Sequence, residues 1–199
     1  PPQVKTLKAA VVDRREAMQL LMGYNSFNGY IWNKLFDLQL IRENDIRFHA
    51  DYPACEDTMF VGSYLYHCSR VCVTEECLYC YRQVSGGANR GRYSGRKAYD
   101  PKWMSVFEMT EYMADLYKDD AVTAACRLHE VREAGIVLRS MEAAGYHGAD
   151  HARLKDILRR GAGLFFRDEN SGRSQKLSVL LSCISPKLEL AVWKLRNRK

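Results

Sequence analysis

The stretch YIWNKLFDLQLIRENDIRFHADYPACEDTMFVGSYLYH, residues 30–67, decides how the rest of the chain is read. It sets an adjacent acidic pair, Glu56 and Asp57, between a segment full of turn residues and an apolar run. Phe60, Tyr64 and His67 or Cys68 recur in that run at helical spacing, which predicts a helix over 56–68. Both carboxylates fall in its first turn, where the unpaired backbone N–H groups and the helix dipole favour negative charge. Capping alone is therefore one sufficient reason for the pair. Upstream, YIWNKLF (30–36) predicts a strand that leads into a helix, LQLIREN (38–44), and Asn44, Asp45 and HADYP (49–53) supply the turns.

Working outward, VDRREAMQLLM (12–22) predicts a short helix with Asp13 as N-cap and Glu16 three residues on, in a capping-box pattern that GYNSFNG (23–29) then breaks. RVCVTEECLYCYR (70–82) holds two β-rich runs around an acidic turn, and a loop rich in Gly and Arg follows (83–101). From Trp103 the pattern is helical to the end, with helices expected over 102–118, 120–144, 149–166, 174–184 and 186–198; Pro186 takes a first helical position in the last of these.

Bulk properties bound the function. With 199 residues, 47% of them hydrophobic, the chain can build an ordinary globular core, and no apolar run approaches the roughly 20 residues of a membrane-spanning helix. Seven cysteines without a secretory leader fit a reducing, cytoplasmic setting better than a disulfide framework. A net charge of +6 suits nucleic acid, anionic lipid or a phosphate-bearing substrate alike. Cys68, Cys72, Cys77 and Cys80 lie close enough in sequence to suggest zinc, but Cys77 and Cys80 would point to opposite faces of an extended strand, so free thiols are expected. The last helix carries Leu188, Leu190, Val192, Trp193 and Leu195 with a basic end; packing on its own domain is the expectation, and peripheral contact with an anionic membrane surface is the alternative.

The order WNKLF (32–36), RF (47–48), EDTMF (56–60), LYCYR (78–82) and SGG (85–87) resembles the acceptor-side half of the bacterial family 2 glycosyltransferases over residues 13–87, and the tail ISPKLELAVWKLRNR is similar to their less specific tails. Each motif is short, and the match lies in their order and spacing. The resemblance implies an α+β, predominantly helical fold: the C-terminal part of an inverting GT-A catalytic domain over 1–100, and a helical C-terminal region over 101–199. It implies Asp57 as the catalytic base that takes a proton from an acceptor hydroxyl, with Glu56 orienting the base and raising its pKa by like-charge repulsion. Trp32 and Lys34 would then border the acceptor, Arg82 would fork to phosphate, and Ser85, Gly86 and Gly87 would admit the backbone close to the substrate. Arg90, Arg92, Arg96 and Lys97 suit a loop that closes over an anionic donor.

The family's Asp-x-Asp metal element has no counterpart in this sequence. A divalent metal, Mg or Mn, is accordingly expected on ligands outside the chain, in a nucleotide-binding half that precedes Pro1, and the 199 residues alone are expected to be inactive. The implied partners are a nucleotide-sugar donor and a glycan or lipid-linked acceptor of cell-surface polysaccharide synthesis, at the cytoplasmic face of the membrane, and no nucleic acid. The alternative is a non-catalytic basic helical binding or interaction module.

Overall fold

The structure, a computed structural model, describes residues 9–23, 27–74, 76, 78–82 and 99–197. Two short strands, β1 (Ala10–Val12) and β2 (Val71–Val73), pair antiparallel with Val11 opposite Cys72. The remaining elements are helices: α1 (Arg14–Met22), α2 (Leu38–Glu43), α3 (Glu56–His67), α4 (Ser105–Tyr117), α5 (Asp120–Ala144), α6 (Ala149–Arg167), α7 (Arg173–Ile184) and α8 (Pro186–Arg196), with one 3-10 turn at Pro101–Met104. The chain is thus a predominantly helical α+β protein. None of the helices, among the described residues, is long and apolar enough to cross a membrane.

Three of the helices, α1, α2 and α8, start where a side chain supplies an acceptor for their orphan N–H groups. Asp13 Oδ1 accepts from the Glu16 N–H at 2.8 Å and starts α1. Asp37 accepts from Gln39 and Leu40 at α2, and Ser185 Oγ accepts from Leu188 at α8, with Pro186 at its first turn. α1 begins directly after Asp13, the expected cap, and Val12 before it belongs to β1, where Ala10 to Val12 pair with β2. The strand expected over 30–36 is corrected: those residues form a turn and irregular chain. Of the two β-rich runs expected over 70–82, the first gives β2, whereas Leu78 to Arg82 carry no ladder.

The chain divides into two compact units. The first comprises Pro1–Gln83 with Glu108–Cys126, the second Val84–Phe107 with Arg127–Lys199. In the first, α1 packs on α3, and Met18, Leu21 and Met22 are buried there along with Met59, Val61, Leu65 and Met113. Each such side chain contributes roughly 1.5–3 kcal/mol on burial. A second apolar cluster joins Ile46, Phe60 and Tyr64 to Ile31, Phe36, Leu40 and Ile41. Phe36 meets Phe60 and Tyr64 edge-on at 5.4 and 4.9 Å, and the Tyr64 hydroxyl accepts from the Asp37 N–H at 2.8 Å. Ile31 and Phe36 serve this cluster from an irregular chain, which is why the apolar content of 30–36 does not require a strand.

In the second unit, α6 packs on α7 and α7 on α8. Leu154, Leu158 and Phe165 are the buried face of α6, and Val137, Leu138 and Met141 are buried on α5. Glu189 of α8 is buried with its charge matched: Arg139 Nε donates to one oxygen at 2.9 Å and Ser178 Oγ to the other at 2.6 Å. The Arg139 guanidinium also lies 5.2 Å from the centre of the Trp193 ring. The basic C-terminal helix therefore packs on its own unit through Pro186, Glu189 and Leu190, with Leu188 and Leu195 exposed.

Candidate active site

The acidic pair sits where the sequence predicts it, in the first turn of α3. Cys55 precedes the helix with no side-chain cap, and a loop from earlier in the chain packs against its first turn. That loop, residues 27–34, lies directly on the first turn. A Cβ at Gly29 would fall 1.8 Å from Thr58 Oγ1 and 2.8 Å from Thr58 Cα, so only glycine lets the two backbones meet. The contact brings the Ile31 N–H onto Asp57, which accepts its hydrogen bond. Glu56 is exposed and Asp57 half-buried, and among the described residues neither carboxylate forms an ion pair.

Burial pushes the Asp57 carboxyl above its ordinary range, and the Glu56 charge pushes it further; the Ile31 N–H and the Lys34 ammonium oppose them more weakly. Like-charge repulsion therefore acts as expected, second to desolvation. Lys34 is brought down to about 8 by burial, against the attraction of Asp57. Its ammonium is spent on the loop itself: Nζ lies 3.1 Å from the Phe27 carbonyl, 2.6 Å from that of Asn28, 2.7 Å from that of Tyr30 and 2.8 Å from Asn33 Oδ1. Lys34 thus ties residues 27–33 into the turn that holds Ile31 against Asp57, and it reaches the acid by field rather than by contact.

Trp32 stands beside Ile31 in an aromatic stack. Tyr30, Tyr79 and Tyr81 lie near-parallel to its indole at centroid distances of 5.1, 4.7 and 5.0 Å. Tyr79 and Tyr81, two residues apart, both turn their rings to Trp32. All three tyrosines are 45% exposed or more, so the stack offers aromatic surface to solvent while Trp32 itself is engaged by protein. Arg82, directly after Tyr81, is exposed. Ser85, Gly86, Gly87 and the basic loop residues Arg90, Arg92, Arg96 and Lys97 lie outside the described residues, as does Cys77.

The structure therefore brings Asp57, Glu56, Lys34 and Trp32 to one end of α3, and it adds Tyr30, Tyr79 and Tyr81, which sequence reading passed over. The alternation of aromatics in LYCYR was the available signal. Of the cysteines considered for zinc, Cys68 ends α3 with its thiol donating to the Tyr64 carbonyl, and Cys72 and Cys80 are exposed. Chemically, the site offers a carboxylate biased toward holding a proton by burial and by the neighbouring Glu56 charge, beside exposed aromatic rings. Comparison with family models, with curated proteins and with solved structures returns no match.

Proposed function

We propose that this chain is the acceptor-side part of an inverting glycosyltransferase of the GT-A type, with Asp57 as general base. The observation that carries the reading is the Asp57 carboxyl, raised by burial and by Glu56 and held in place by the Ile31 N–H at the start of α3. A base with a raised pKa is better matched to taking a hydroxyl proton near neutrality, and positioned carboxylates contribute roughly 10² to 10⁴ in rate this way. The acceptor oxygen bonds to the anomeric carbon of the nucleotide-sugar as its proton passes to Asp57. The bond from that carbon to the diphosphate breaks on the opposite face, and the nucleoside diphosphate departs with the electron pair.

The half-exposed rings of Tyr79 and Tyr81 suit the apolar face of a sugar, and Arg82 suits a phosphate oxygen of the donor or of a lipid-linked acceptor. Glu56 and Asp57, next to an ammonium, do not make the oxygen-rich shell that Mg or Mn takes, so no step passes through a metal held here. A donor-bound metal belongs to ligands outside this chain. The setting we propose is the cytoplasmic face of a membrane, where lipid-linked intermediates are glycosylated. The test is to join the chain to its donor-binding half, supply a panel of nucleotide-sugars and surface-glycan acceptors, and follow the anomeric centre by NMR. Transfer with inversion supports the reading; retention of configuration, or no transfer from a folded protein, contradicts it.

A further inference from the structure

Three potential metal ligands that lie far from the acidic pair in sequence converge where α5 turns into α6, and the turn itself is dictated by one glycine. Gly145 has φ +69°, a left-handed conformation that residues with a Cβ rarely adopt. With it α5 closes in a Schellman motif: the Tyr146 N–H donates to the Met141 carbonyl at 2.9 Å and the Gly145 N–H to the Glu142 carbonyl at 3.2 Å. The reversal carries His147 back over Glu142. α6 then begins at Ala149 and places His151 in its first turn, where Tyr99 Oη fixes the neighbouring Asp150 by donating to Oδ2 at 2.9 Å.

Glu142 Oε1 lies 2.8 Å from His151 Nε2 and 3.8 Å from His147 Nδ1, and the ligand atoms of all three residues fall within 4.8 Å of one another. A tetrahedral zinc ion with bonds of about 2.0–2.1 Å separates adjacent ligand atoms by about 3.3 Å, between the two distances found. The Glu142 side chain is only 4% exposed and that of His151 14% exposed, while that of His147 is 49% exposed. A buried carboxylate is costly without a matching positive charge. Among the described residues, the polar side chains within reach of its Oε1 are the two imidazoles, each able to ligate only when neutral. A hydrogen bond from His151 to Glu142 needs no second histidine; a cation accounts for all three.

We infer that Glu142, His147 and His151 form a binding site for a divalent transition metal of the zinc class, which clamps the end of α5 to the start of α6. Two imidazoles and one carboxylate are a borderline ligand set that selects zinc, cobalt, nickel or copper over magnesium or calcium. Three protein ligands leave a fourth position for water, reached from the half-exposed side of His147. The site is independent of the acidic pair and of the metal expected with a nucleotide-sugar.

The test is titration of the chelator-treated 199-residue chain with Co²⁺ by absorption and with Zn²⁺ by calorimetry, beside His147→Ala and Glu142→Gln. His147→Ala removes a half-exposed ring and leaves the His151–Glu142 contact in place, so the protein stays folded. One equivalent should bind, with visible bands free of thiolate charge transfer, and either substitution should weaken binding at least tenfold. Absence of saturable binding, binding with strong thiolate charge-transfer bands, or affinity unchanged in His147→Ala overturns the site.

Discussion

Asp57 and Lys34 face each other at the start of α3 without touching: the carboxyl is held above its ordinary value of 3.8 and the ammonium is brought down from 10.5 to about 8. Burial is the first cause of both shifts, so each group's charged form is disfavoured in the fold and each partly supports the other. The stability consequences have opposite senses. For Asp57 the folded protein holds the proton more tightly than the unfolded chain, so its contribution rises as pH falls through the folded pKa and the cost is fully present above it. For Lys34 the unfolded chain holds the proton more tightly between about 8 and 10.5, so its contribution improves as pH rises across that window. NMR titration of the lysine Cε signals, with Lys34→Met for assignment, should find one lysine with a midpoint near 8; a Lys34 midpoint above 10 would contradict the burial of its ammonium.

Gly29→Ala should disturb the same turn. Its Cβ would meet the Thr58 backbone at 2.8 Å, and backbone cannot rotate away as a side chain can. A loss of roughly 1–3 kcal/mol is expected, as for other overpacked contacts. The Lys34 midpoint should move toward 10.5 as the loop lifts from α3. Melting curves and the lysine titration on one sample check both; a stable variant with an unchanged midpoint would mean that the loop does not rest on Thr58.

A third outcome concerns the second unit. Glu189→Ala strands the Arg139 guanidinium, only 11% exposed, without its carboxylate. Removing one partner of a buried pair costs roughly 3–5 kcal/mol. Replacing both, as in Arg139→Met with Glu189→Met, should cost much less. Chemical denaturation of the single and double variants measures the difference, and equal losses would show that the pair acts through packing alone.

Much of the helical architecture was legible because its signals are local. Asp13 before Glu16, Pro186 after Ser185 and the apolar spacing of α3 each depend on residues within a turn or two, and α5 runs over the residues expected of it. The error at 30–36 came from the same apolar content serving another purpose: Ile31 and Phe36 pack on α3 from an irregular chain, and Lys34 bonds backward to its own loop. β1 was hidden because Val12 is both the last strand residue and the neighbour of a helix cap. The position of the acidic pair was readable, whereas its electrostatics depend on Ile31 and Lys34, which reach it through a loop closed by Gly29. Glu142, His147 and His151 were not legible as a group, since no single helix spaces them and only the left-handed turn at Gly145 brings them together.

The chain by itself should bind nucleotide-sugars only weakly and transfer nothing, because the proposed account places the diphosphate and its metal elsewhere. Calorimetry against uridine and guanosine diphosphate sugars checks this. A micromolar dissociation constant would reassign the donor site to these residues.

The most direct measurement is the steady-state rate of Asp57→Asn in the proposed enzyme, this chain joined to a donor-binding half, with a melting curve on the same protein. Asparagine keeps the shape and can still accept from the Ile31 N–H, but it cannot take the acceptor's proton. The kcat should therefore fall by on the order of 10² or more, with donor KM nearly unchanged. The melting temperature at neutral pH should hold or rise, since a disfavoured charge has been removed. Near-normal turnover, with or without a change in stability, would contradict the assignment of Asp57 as the base.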